Sequence, residues 1–206
     1  MNISLPVNMI TMKSSYGPNK EIYYPKIISM QNEQLQNNIN QSIIDETQKL
    51  INQQMVEMPS PLVEMLGTYE MKNNQRDVLS LLFSNYAYHY HAAHGMTYLK
   101  SLTFDLIKGT TCTLHDLFKP GSNYIEQISI QIQNQINQRE IPTLTEFKTI
   151  KPNQEFYIAD KTLVIYFQLY ELTPYVFGFP MFPISVYDLQ DIINENGPLG
   201  RMAANN

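Results

Sequence analysis

Side chains able to do chemistry gather at one place in the chain, His89-Tyr90-His91-Ala92-Ala93-His94-Gly95. On an extended strand His89 and His91, two residues apart, point to one face, and His94 beyond a turn at His94-Gly95 is placed to close on them. Three imidazoles are enough for a zinc or copper site. The same pattern also suits turn-side His and Tyr that only cap a sheet edge, and no carboxylate or thiol lies nearby in sequence. No metal and no cofactor is therefore assigned. Cys112 is the only cysteine, which excludes an intrachain disulfide. Without a His-Asn or His-Asp pattern beside it, it reads as a small half-buried residue rather than a nucleophile. A Gly-rich phosphate loop, Gly-x-Ser-x-Gly and His-Glu-x-x-His are all absent. Asp77, Asp105, Asp116 and Asp160 fall near expected turns or helix starts, where carboxylates commonly cap backbone groups. The chain is not expected to be an enzyme. A metal-dependent hydrolase built on the His cluster is the one catalytic alternative.

The second chemical feature is tyrosine. There are fourteen Tyr and no Trp. Tyr86, Tyr88, Tyr90, Tyr98, Tyr166, Tyr170 and Tyr175 are candidates for a sugar-stacking or protein-binding surface, because Tyr offers large contact area at small entropic cost. Packing of strand tyrosines against a covering helix is the plainer reading. The eleven Met are scattered, as core fillers are.

The elements that must position these groups follow from periodicity. Rough alternation from Ile3 to Met12 predicts a first strand, closed by the turn signal Ser14 to Asn19, and Ile22 to Ile28 predicts a second. Leu35, Ile39, Ile43, Leu50 and Met55 recur at helical spacing until Pro59 and Pro61, which predicts a long amphipathic helix. Three extended segments form a β-meander. Val63 to Met71 ends at a Lys72-Asn73-Asn74-Gln75 turn. Val78 to His91 carries Tyr86, Tyr88 and Tyr90 on one face and Ala87, His89 and His91 on the other. Met96 to Ile107 places Tyr98, Leu102, Phe104 and Leu106 together.

Thr113 to Phe118 reads as one helical turn stopped by Pro120-Gly121. Behind it Asn123 and Glu126 suggest a capping box for a helix presenting Ile125, Ile128, Ile132 and Ile136. A strand from Glu155 to Ile158, a tight turn at Ala159 to Thr162, and an apolar run from Leu163 to Leu172 with the character of a mid-sheet strand complete the core. Phe182 to Val186 predicts one more strand and Val186 to Ile193 a short helix. The expected fold is α+β, with antiparallel β-sheet strands packed against two long amphipathic helices. Residues 1–111 form a strand-helix-meander subregion, 112–193 a helix-plus-sheet subregion packed with it, and 194–206 a flexible tail.

Composition limits the partners. Charged residues make up 16% of the 206, against about 25% in ordinary domains, and Asn and Gln fill the difference. A net charge of -5 gives no broad basic field, so nucleic acid and anionic membrane are not expected partners. No window approaches the roughly 20 apolar residues of a spanning helix, so no membrane insertion is expected. Met1 to Lys13 lacks the basic and unbroken apolar regions of a secretory signal peptide.

Several spaced motifs, taken in order, resemble one bacterial family. They are Tyr86 to Met96 (YAYHYHAAHGM), Phe104-Asp105-Leu106, Leu114 to Gly121 with Tyr124, Phe156 to Phe167, and Tyr170-Glu171-Leu172-Thr173-Pro174-Tyr175 with Gly178 and Ile184. The chain is similar to the extracytoplasmic domain of the RsiV anti-sigma factors, which also occurs beside peptidoglycan deacetylase domains. The likeness is strongest from Tyr86 to Ile193, and the strand-helix region before it resembles the family's companion module.

The resemblance implies a non-catalytic binding and sensing module of the cell envelope, recognising a protein such as lysozyme or a peptidoglycan-related glycan. On this reading His89, His91, His94, Gly95, Tyr170, Tyr175 and Phe179 are the binding candidates, on loops at strand ends. No segment of the sequence resembles the family's transmembrane helix, sigma-binding segment or deacetylase domain, so none of those activities is expected of it. Where the family has a Gly-Gly-Ala-His-Gly-like turn, this chain has His91-Ala92-Ala93-His94-Gly95, and fewer glycines change the loop's accessible shapes. The alternative is a structural or assembly protein of a spore coat or similar layer, which the abundant Tyr and amide-rich surface also fit.

Overall fold

A computed structural model describes residues 5–204. Two sheets and three helices make an α+β fold. The first sheet has six strands in sequence order: β1 (Asn8–Ser15), β2 (Lys20–Ile28), β3 (Leu62–Gln75), β4 (Val78–His89), β5 (Met96–Asp105) and β6 (Thr110–Thr111). It is mixed, not purely antiparallel as expected, because β2 and β3 run parallel. The 24-residue helix α1 (Glu33–Val56) is the long crossover that a parallel pair requires. The second sheet, β7 (Phe156–Ala159), β8 (Thr162–Tyr166) and β9 (Met181–Ser185), is antiparallel with β8 in the middle. The other helices are shorter: α2 (Tyr124–Gln138) has 15 residues and α3 (Pro198–Ala203) has 6.

The apolar stripe of α1 decides where it lies. The Asn32 side chain caps its first turn by accepting from the Leu35 N–H at 3.0 Å. Leu35, Ile39, Ile43 and Leu50 pack on Leu79, Leu81 and Phe83 of β4, with Ile27 and Phe104. Each such side chain contributes about 1.5–3 kcal/mol when fully buried. Strand alternation sends Leu82 to the opposite face, where it meets Leu99, Tyr157, Val164 and Tyr166. Ile128, Ile132 and Ile136 of α2 join Ile158, Leu163, Ile165 and Phe182 in the largest core. β4 is therefore the shared wall between α1 and the second sheet.

Carboxamides close gaps that strands leave. Asn40 of α1 both accepts from Ile27 N (2.7 Å) and donates to Ile27 O (2.9 Å). Asn74 treats Val7 in the same way at 3.2 and 2.8 Å, as Gln168 does Leu99 at 3.1 and 2.8 Å. Each amide replaces a missing strand residue and satisfies two backbone groups at once. Asn73 and Asn74 thus lie inside β3, and the expected turn at 72–75 moves to Arg76-Asp77, both left-handed at φ 53° and 55°, as a two-residue hairpin requires. Asn123 stands before α2 without accepting from its backbone; its amide donates to Glu126 Oε2 at 3.2 Å instead, so the capping box does not form.

The expected first strand begins later, at Asn8, and its first residues lie outside those described. β4 ends at His89 and β8 at Tyr166, each short of its expected limit. The flexible tail is also corrected over its described part. Leu199 and Met202 of α3 are fully buried, and Arg201 pairs with the buried Asp105 at 2.8 Å.

Candidate functional site

β4 and β5 are joined by a loop that starts at Tyr90 and His91, the latter left-handed at φ 63°. That bend takes His91 off the face His89 occupies. His89 is buried, its Nδ1 2.8 Å from Ser60 O and its Nε2 2.9 Å from Gln54 O, and it ties the end of α1 to β4. His91 is exposed, its ring against Tyr90 at 4.0 Å. The three histidines do not converge. Among the described residues no group of three or more His, Cys, Asp or Glu is placed to hold a metal ion.

His94 goes elsewhere. Its Nδ1 donates to Gly95 O at 2.9 Å, leaving Nε2 to accept from the Tyr170 hydroxyl at 3.1 Å. Its ring stacks on Tyr175 at 4.2 Å, and the Tyr175 hydroxyl also donates to Gly95 O, at 3.0 Å. Four of the candidate residues, His94, Gly95, Tyr170 and Tyr175, therefore meet although 76 residues separate His94 from Tyr170. A side chain at Gly95 would force its neighbour to move. A Cβ would lie 2.1 Å from the Tyr86 ring, so Tyr86 of β4 forms the floor of the cluster.

Phe179 lies beside this group but is turned inward against Leu82, Leu99, Tyr157, Val164 and Tyr166. The exposed apolar surface comes from Tyr170 and from two neighbours not singled out in the sequence, Val176 and Phe177. Tyr175 to Phe177 form one 3-10 turn between Pro174 and Gly178, which leaves Val176 93% exposed and Phe177 37%; Tyr170, before the turn, is 46% exposed. Tyr170 is also left-handed, at φ 63°. That is an uncommon conformation for a bulky side chain, and here the bond to His94 accompanies it. An apolar triplet between Pro and Gly in a segment with no sheet or helix period was the legible signal.

No activated nucleophile accompanies this surface. Burial pushes the Cys112 thiol up to about 11, with the nearby Asp105 carboxylate adding to the shift, so the thiolate is scarce at neutral pH. Burial likewise raises Tyr86 above the usual phenol range, Glu64 and the neighbouring tyrosines contributing. The site offers aromatic faces, hydroxyls and one imidazole.

Comparison with known proteins defines the class first. Residues 19–97 match the family described as Deacetylase PdaC, and residues 115–187 match DUF3298, a family of proteins of unknown function. Both domains are present, and the chain is RsiV-like. It is 30% identical over 176 residues, 80% of its length, to the anti-sigma-V factor RsiV of Bacillus subtilis (strain 168). The chain spans 61% of that relative. Two crystal structures share the fold. A DUF3298 family member from Bacteroides fragilis superposes with TM-score 0.70 at 15% identity, covering 97% of this chain and 98% of that one. A DUF3298 family protein from Pseudomonas aeruginosa PAO1 gives 0.67 at 13%, with 94% and 96% covered. No helix among the described residues is long and apolar enough to cross a membrane.

Proposed function

We propose that this chain is a non-catalytic recognition module of the bacterial cell envelope that binds a protein such as lysozyme through the His94-Tyr170-Tyr175 cluster and the Val176-Phe177 knob. The carrying observation is the solvent-facing apolar turn, fixed in place by Tyr175 and backed by His94 and Tyr86. Rigid aromatic side chains on a scaffolded loop are the residues that anchor interfaces. Likeness to an anti-sigma factor supports sensing, and the buried Cys112, whose thiol is held neutral, supports the absence of thiol catalysis. A peptidoglycan-related glycan is the alternative ligand for the same aromatic faces.

The test is binding of the purified chain to immobilised hen lysozyme and to peptidoglycan sacculi, each at two salt concentrations. Saturable binding to lysozyme with a Kd of about 1 μM or tighter, weakened at least tenfold by Val176→Asp, is the expected result. Retention on sacculi alone moves the assignment to the glycan. Failure to bind either, with the fold intact, removes the recognition reading.

A further inference from the structure

The two edges of the six-stranded sheet are finished differently. On the β5 side much of the outward backbone is occupied: Gln168 bonds both groups of Leu99, Cys112 N donates to Thr103 O at 2.7 Å, and β6 covers Phe104 and Asp105. β1 has no such cover. It is an eight-residue strand paired along its whole length with β2 and is the outermost strand of the sheet. Among the described residues no side chain or strand bonds its outer side.

Natural sheets usually defend an exposed edge with charge, proline, a bulge or a covering segment, because unpaired N–H and C=O groups template another strand. β1, with the sequence NMITMKSS, contains no proline, its register against β2 is unbroken, and its one charge, Lys13, is already paired with Glu21 at 2.7 Å. Ile10 is 46% exposed along it.

We infer that β1 is a self-association edge, and that two copies pair antiparallel through β1 about a two-fold axis into one continuous sheet. The occupant is a second copy because the strand is complementary to itself. In the symmetric register centred on Thr11, Lys13 falls opposite the partner's Met9; centred on Met12, it falls opposite the partner's Thr11. Neither register brings like charges together, and the length matches by construction. Since the β5 edge is blocked, pairing stops at two copies and gives a closed dimer, not a filament. This edge is distinct from the aromatic knob and does not depend on the proposed ligand.

Sedimentation equilibrium and light scattering of the full chain, from about 1 μM to about 1 mM, test it, a range suited to a small interface. A monomer–dimer equilibrium with no higher species is expected, and amide exchange in residues 8–15 should slow as concentration rises. Thr11→Lys sets a lysine opposite its own copy in one register and opposite the partner's Lys13 in the other, so dimerisation should weaken at least tenfold. Thr11→Ser, which keeps a hydroxyl for the bond to Tyr69, should dimerise as before. A monomer throughout, larger oligomers, or a Thr11→Lys protein that folds and still dimerises normally would each overturn the inference. If Thr11→Lys does not fold, concentration-independent exchange of β1 amides in the unmodified protein overturns it alone.

Discussion

Two irregular segments near the C-terminus, residues 168–179 and residues 194–204, look alike in sequence and do different work. Both are broken by Pro and Gly and lack a long apolar repeat. The later one turns its apolar residues inward. Leu199 and Met202 fill the main core, and Arg201 reaches Asp105, which is 1% exposed, with its ε nitrogen also donating to Arg76 O at 3.0 Å. Arg76 reciprocates by donating to the Arg201 and Met202 carbonyls at 2.8 and 3.1 Å. These carbonyls belong to α3, whose last turn has no partners of its own for them. The earlier segment anchors itself through Leu172 and Phe179, holds Tyr175 by its hydroxyl and ring, and leaves Val176 in water. Both segments contribute apolar groups to the core, but only the earlier one also turns an apolar side chain fully outward. Irregular sequence by itself therefore says nothing about rigidity, and what distinguishes the two is whether a buried charge waits for the segment.

The sharpest way to break the comparison is to remove that charge's partner. Arg201→Ala leaves Asp105 buried without its cation, and we expect a loss of about 3–5 kcal/mol of stability in urea unfolding, as for other split buried pairs. Affinity of the remaining folded protein at the knob should not change. A loss below about 1 kcal/mol, the scale of surface ion pairs, would show that α3 only rests on the surface. His89→Ala is expected next, at about 1–3 kcal/mol, because the buried carbonyls of Gln54 and Ser60 lose their common partner. A larger effect on binding than on stability would instead place His89 in the site.

Much of the architecture was legible. Helical spacing located α1 and α2, alternation located β4 and β5, and an unbroken apolar run located β8, buried on both faces in mid-sheet. Misreadings occurred where a distant partner decides the outcome. Lys72-Asn73-Asn74-Gln75 has the composition of a turn, yet the Asn74 amide is held in the sheet by Val7, 67 residues away. His89 and His91 obey the two-residue period only while the strand lasts, and it ends at His89. The tail was missed because Leu199 and Met202 are only two apolar contacts, and their worth depends on Asp105 and Arg76. The His94–Tyr170 meeting had no local signature at all, although each partner was visible as a loop residue. The parallel β2–β3 pair was missed, because a long helix between two strands rules out a hairpin but does not by itself fix which strand the chain returns beside.

Gly95→Ala tests the floor of the knob. The new methyl would overlap the Tyr86 ring, and an overpacked contact typically costs about 1–3 kcal/mol. Tyr86 is only partly buried, so the ring has room to shift, and we expect the lower end of that range. The shift should disturb Gly95 O and with it the Tyr175 hydroxyl, reducing affinity for the ligand more than stability. Val176→Asp sits at the other limit, with stability changed by less than about 0.5 kcal/mol and binding reduced at least tenfold. Equal and small effects on binding from both variants would mean that recognition lies outside this cluster.

At neutral pH the smallest expected effect concerns Cys112, which separates a buried thiol from a functional one. Its pKa, raised by burial to about 11, makes the folded form favour the neutral thiol, while the unfolded chain ionises near about 8.5. Stability from this group is therefore complete below the unfolded value and is lost as pH rises through the folded one. Below about pH 8.5 none of it is lost, so near neutral pH thiol chemistry reads the burial more directly than melting does. In native protein, reaction with a thiol reagent at pH 8 should be far slower than in urea, and should accelerate toward pH 11 ahead of any change in circular dichroism. Rapid native-state labelling at pH 8 would contradict the burial argument and reopen a reactive role for Cys112. Slow labelling would leave the aromatic cluster as the chemistry the surface offers a partner.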